Sequence, residues 1–109
     1  MTEHRLLSGP DFTRGPERFR EHVSRLGTRP KGGPALIDVL ARTGLTGRGG
    51  ADFPVALKWR AVAAASHGSA VVVVNGAEGE PHSKKDRHLM TSRPHLILDG
   101  ALLAAAAVH

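Results

Sequence analysis

Three glycines within four residues open the stretch Gly47-Arg48-Gly49-Gly50-Ala51-Asp52-Phe53-Pro54, which runs on into Val55-Ala56-Leu57-Lys58-Trp59. Glycine admits positive φ and lets a ligand approach the main chain closely. A helix beginning just after such a loop presents unpaired N–H groups and the positive end of its dipole, which suits a phosphate. Arg48 and Lys58 add cations. A second set of reactive side chains, Asn75, Glu78 and Glu80, lies in the turn Asn75-Gly76-Ala77-Glu78-Gly79-Glu80-Pro81. An amide offers donors and an acceptor to a heterocycle edge, and a carboxylate can accept from a sugar hydroxyl. Each set has a plain alternative: a flexible turn for the first, a solvated acidic turn for the second, surface cations for Arg48 and Lys58. His82, His88 and His95 lack the i, i+4 spacing of a helical metal pair, so no metal site is expected.

Two standard phosphate motifs fail on the loop. Gly44 and Gly49 have P-loop separation, but Gly50 stands where the lysine must be. A dinucleotide fingerprint needs a preceding strand and a small residue at its last position, whereas this loop follows a helical pattern and offers Asp52. Asp52 also competes as a side-chain cap for the next helix, a role that would occupy the donors a phosphate needs.

The elements that must hold these residues are mostly helical. Pro16 is placed to begin a helix through Leu26, closed by Gly27, with Phe19, Val23 and Leu26 on one stripe and Arg18, Arg20, Glu21 and Arg25 opposite. Pro34 opens a second helix that Gly44 stops. A third starts at Phe53 or Pro54, runs to about Ala65 and is expected to bury Val55, Trp59 and Val62. Residues 70–75, with the β-branched run Val71–Val74 at their centre, read as a strand in the middle of a parallel sheet, and a ligand outside its carboxyl end would meet Asn75. Ser83 and Asp86 have capping-box spacing before a short helix. A last helix starts near Pro94 and runs into Ala104-Ala105-Ala106-Ala107-Val108. One strand with no evident neighbours and an apolar helix reaching His109 make an incomplete domain the expectation.

The chain has 109 residues, no cysteine and a formal charge of +5. Without cysteine there is no disulfide framework and no cysteine-ligated cluster within these residues. Three Phe, one Trp and no Tyr supply no stacking platform, which argues against nucleic acid as the partner of the positive charge. No apolar run approaches the about 18 residues of a membrane span, and Met1-Thr2-Glu3-His4-Arg5 does not begin a signal peptide. The cytoplasm is the expected location.

Taken together, residues 44–59 and the stretch Asn75–Pro81 with Lys85-Asp86-Arg87 and Arg93-Pro94-His95 resemble the two signature motifs of the FMN- and NADH-binding flavoprotein subunit of respiratory complex I. The resemblance covers residues 34–109, with residues 1–33 as an N-terminal extension carrying one helix. It implies an α/β fold, the N-terminal part of a Rossmann-like FMN-binding domain with a parallel sheet flanked by helices, incomplete in this chain. In that family the two loops embrace FMN and NADH lays its nicotinamide on the flavin. By resemblance Gly47, Arg48, Gly49, Gly50, Ala51, Lys58, Asn75 and Glu78 fall to FMN, and Phe53 and Glu80 to NADH. No side chain is assigned a catalytic role, because the cofactor carries the chemistry. The family's 4Fe-4S cluster would lie in a C-terminal region beyond His109. The implied partners are NADH, the remainder of the domain and an iron–sulfur or ferredoxin-type acceptor, without direct membrane insertion; attachment to the inner face of a membrane would run through partner subunits.

Departures from the family pattern leave an alternative. Asp52 stands for glycine, Ala77 for a flavin-contacting aspartate, Gly76 for alanine, and Arg60-Ala61 lacks an aromatic near NADH. A degenerate paralogue that keeps the fold without flavin, as a structural or interaction module, is the competing reading.

Overall fold

A computed structural model describes residue 6, residues 8–48 and residues 51–109. The chain divides into two compact units, Met1–Arg29 with Asn75–Asp99, and Pro30–Val74 with Gly100–His109.

In the second unit, α2 (Ala35–Thr43) starts behind Pro34, whose fixed φ suits a helix entry, and stops at Gly44. Gly44 is left-handed (φ 71°, ψ 26°) and its N–H donates to the Leu40 carbonyl at 3.1 Å, so glycine there is a backbone requirement. α3 (Val55–Ser66) packs on α2, and Ile37, Ala56 and Ala107 form the buried core with Leu36, Leu40, Trp59 and Ala63 around them. The buried stripe of α3 is thus Ala56, Trp59 and Ala63. Of the expected Val55, Trp59 and Val62, Val62 is exposed. Helical spacing fits either stripe; small alanines let the helices approach closely, and that selects the observed one. Ser66 closes the unit, its hydroxyl donating to the carbonyls of Val108 (3.2 Å) or His109 (2.9 Å) at the end of α5 (Pro94–Val108).

The expected strand at residues 70–75 is not formed. Among the described residues the β pairing is confined to an isolated bridge, Thr46–Pro54. Val71 and Val73 are 84% and 82% exposed. A strand exists only as part of a ladder, and among the described residues none pairs with these valines. The described structure is therefore helical, without the parallel sheet. Among the described residues no helix is long and apolar enough to cross a membrane.

The first unit is built around polar groups. Its α1 (Phe19–Leu26) begins three residues later than Pro16 suggests, behind an extended Arg18. The lead-in is held elsewhere: the Glu17 N–H donates to the Ser92 carbonyl at 2.9 Å, and the Glu17 carboxylate takes two 2.9 Å bonds from Arg25. Glu17, His22, Ser92 and Arg93 are all buried, Arg93 completely. His22 Nε2 lies 2.7 Å from Asp99 Oδ2. Arg93 donates to the carbonyls of Ser92, Ser8 and Pro10 and lies 4.4 Å from the centroid of the Phe12 ring, which sits on a short 3₁₀ turn (Phe12–Arg14) capped by Asp11. A buried cation survives because carbonyl and aromatic partners replace its water. The Arg25 hydrogen bonds hold Glu17 below the usual glutamate range, and raise Arg25 in turn. α4 (Lys85–Ser92) completes the unit with the first residues of α5.

Candidate functional site

In the second unit, the Gly-rich stretch is a loop closed at its neck. The Gly47 N–H donates to the Phe53 carbonyl at 2.9 Å, and the Val55 N–H to the Leu45 carbonyl at 3.0 Å. Between those bonds Arg48, Ala51 and Asp52 are exposed. Gly49 and Gly50, both expected at FMN, lie outside the described residues. Gly47 differs from Gly44. Its φ is not left-handed, and among the described residues a Cβ built there would meet nothing nearer than the Phe53 carbonyl oxygen at 3.9 Å. Among the described residues, neither backbone nor packing requires glycine at this position.

Two of the expected ligand residues are brought together here: Lys58 Nζ stands 5.3 Å from the centroid of the Phe53 ring, in cation–π range. The Asp52 cap is not formed. Pro54 is the residue before α3, no side chain caps the helix, and Asp52 sits two positions earlier at φ 47°. The Val55 N–H is taken by the Leu45 carbonyl, but no side chain caps the first-turn amides that follow it in α3, which suits them to an anion.

In the first unit, the acidic turn is tied to α4. Asn75 Oδ1 accepts from the Ala77 N–H at 2.9 Å, an Asx turn that commits the amide oxygen and leaves Nδ2 to donate. Glu78 is left-handed at φ 54°. Its Oε2 accepts from the Asp86 N–H at 2.7 Å, while its own N–H donates to Asp86 Oδ2 at 3.2 Å. Its Oε1 is buried with no hydrogen-bond partner among the described residues. Glu80 is exposed, and its carbonyl accepts from the Ser83 N–H at 3.1 Å. The expected Ser83–Asp86 capping box is replaced. Ser83 Oγ accepts from Lys85 N–H at 3.3 Å, and Glu78 takes the helix amide instead, because the turn folds back over the start of α4. Lys85 Nζ, 2.9 Å from Asp86 Oδ1, holds the Asp86 carboxyl below the usual range, and Asp86 raises Lys85.

Asp86 is the residue the motif reading undervalued. Its eight-residue separation from Glu78 matches no local signature, so only the folded turn reveals the pairing. The part-buried Glu17–Arg25 and His22–Asp99 pairs were equally silent, because each partner sits in an ordinarily polar stretch.

Residues 40–109 match the model of the Nuo51 FMN-binding domain. The F subunit of NADH-quinone oxidoreductase from Rickettsia typhi (strain ATCC VR-144 / Wilmington) is 38% identical over 78 residues, which is 72% of this chain and 18% of that protein. Its counterpart from Rhodobacter capsulatus is 42% identical over 74 residues, 67% of this chain and 17% of that protein. The chain thus spans less than a fifth of the length of these curated relatives. No solved structure gives a significant match. With a family match that takes in both motif loops and well over half of its residues, the chain belongs to the Nuo51 FMN-binding domain family.

Proposed function

We propose that this chain is the FMN-binding portion of an NADH dehydrogenase-type flavoprotein, working with an iron–sulfur acceptor outside its own residues. The observation that carries the reading is Gly47. It heads an exposed loop at a position where the fold itself would admit a side chain, so close approach of a ligand to the backbone accounts for the glycine. In this reading Gly47, Arg48, Gly49, Gly50, Ala51 and Lys58 serve FMN. The uncapped amides of α3 and the two cations suit its phosphate. Asn75 donates through Nδ2, and the unpartnered Glu78 Oε1 accepts from a polar group of the cofactor. Phe53 and Glu80 lie toward NADH, with Phe53 offering a ring face and Glu80 a free carboxylate. FMN, when bound, supplies two-electron acceptance from NADH and one-electron release; the side chains bind, orient and exclude water. The remainder of the flavoprotein, NADH and neighbouring oxidoreductase subunits are the partners on this reading.

One observation favours the degenerate alternative. Asn75 Oδ1 and Glu78 Oε2 are already taken by their own backbone, and Ala77 offers no carboxylate. A module that keeps the turn without flavin would look the same there. Titration of the full chain with FMN, followed by flavin fluorescence, separates the two: saturable quenching supports the flavoprotein, and its absence supports the module.

A further inference from the structure

α1 is amphipathic, yet the side chains it turns inward are polar. His22 and Arg25 reach the buried polar groups, whereas Phe19 and Leu26 are 62% and 51% exposed and Val23 is only half-buried. A helix with a strong apolar stripe normally buries it, and an exposed apolar stripe with a polar rim marks an interaction surface. Beside the stripe lies a cleft of about 250 Å³, walled by Phe19, Val23 and Gly27 and bordered by Thr28, Arg29 and Asp99. This helix precedes the family match at residues 40–109, so the family's flavin chemistry does not explain it.

We propose that the Phe19–Val23–Leu26 stripe and its cleft dock an acidic amphipathic helix of a partner chain. Charge selects the occupant. Within residues 14–29 there are five arginines and two glutamates. Glu17 is spent on Arg25 in the interior and Glu21 lies 3.5 Å from Arg14. That leaves Arg18 and Arg20 exposed, with Arg29 at the cleft beside Asp99. A second copy would bring the same cations and be repelled. An anionic lipid surface is a poorer fit, because α1 has only eight residues and the apolar site is concave with a carboxylate at its rim. A helix with leucines at i, i+3, i+4 and i+7 and flanking glutamates matches both the stripe and the rim.

The test uses the full chain and a fluorescein-labelled synthetic helix of that pattern, with fluorescence anisotropy as readout. The controls are the same helix with lysine for every glutamate, and vesicles of phosphatidylserine and phosphatidylcholine. Saturable binding of the acidic helix is expected, weakened about tenfold or more by Phe19→Ser and by Arg20→Glu, with the lysine helix and vesicles inert. Both positions are exposed, so circular dichroism should show an unchanged fold. The proposal is overturned if the acidic helix does not saturate, if Arg20→Glu leaves its affinity unchanged, or if the lysine helix or the vesicles bind equally well. It is also overturned if the chain forms a dimer that Phe19→Ser dissociates.

Discussion

Glu78 and Asp86 exchange hydrogen bonds across the start of α4, each carboxylate accepting the other's backbone N–H at 2.7 and 3.2 Å. The pair does the work of a capping box with one partner taken from the preceding turn. Glu78→Ala should therefore cost about 0.5–2 kcal/mol of stability, with Glu78→Gln costing less because it keeps an acceptor. Paired thermal melts check this. An unchanged melt for Glu78→Ala would detach the acidic turn from α4.

The polar interior of the first unit makes stability fall in acid. Arg25 holds the Glu17 carboxyl below its ordinary value, so that contribution is complete above about pH 4.3. It is lost as pH falls through the lower folded value, when the unfolded chain binds the proton more readily. Arg25→Met removes both hydrogen bonds from a buried carboxylate, leaving it the His22 ring at 3.7 Å, and should cost about 3 kcal/mol at neutral pH. It should also flatten the acid limb of a plot of Tm against pH. An acid limb as steep as the parent's would place the titration elsewhere.

Asp52 carries no cap and sits at φ 47°, where glycine is at ease. Relief of left-handed strain and glycine's greater unfolded entropy nearly offset, so Asp52→Gly should change stability by less than about 1 kcal/mol. Removing a carboxylate from the loop should tighten FMN binding several-fold. A clearly lower melting temperature would restore the capping role.

Residues 70–74 have no ladder, so hydrogen exchange should find the Val72, Val73 and Val74 amides near intrinsic rates. The Gly47 and Val55 amides, bonded at the loop neck, should be protected. Equal protection of the valines would mean that they pair as a strand after all.

How much of this could be read in the sequence divides by range. Pro34 and Gly44 bound α2 as expected, and Pro94 opens α5, because each boundary rests on one residue's own backbone preference. The two motif loops were recognisable for the same local reason. Pro16 misled, since the amide and carboxylate of Glu17 are claimed by Ser92 and Arg25 and the helix waits until Phe19. The valines at 71–74 have strand propensity, but a ladder depends on another segment's backbone, which propensity cannot supply. Ala56 and Ala63 win the α3 interface over Val62 on closeness of approach, a property of the helix pair. The Glu78–Asp86 exchange required the turn to be folded before either residue could show its role.

The central claim is that Gly47 is glycine for a ligand, and Gly47→Ala tests it most directly. Among the described residues the added methyl meets no atom nearer than 3.9 Å and no left-handed backbone, so the variant should melt with the parent. Its FMN affinity, measured by flavin fluorescence on the full chain, should fall about tenfold or more, alongside a tenfold to hundredfold loss for Asn75→Ala, equivalent to about 1–3 kcal/mol. If Gly47→Ala binds FMN as tightly as the parent, or if the parent does not bind FMN, the flavoprotein reading is contradicted.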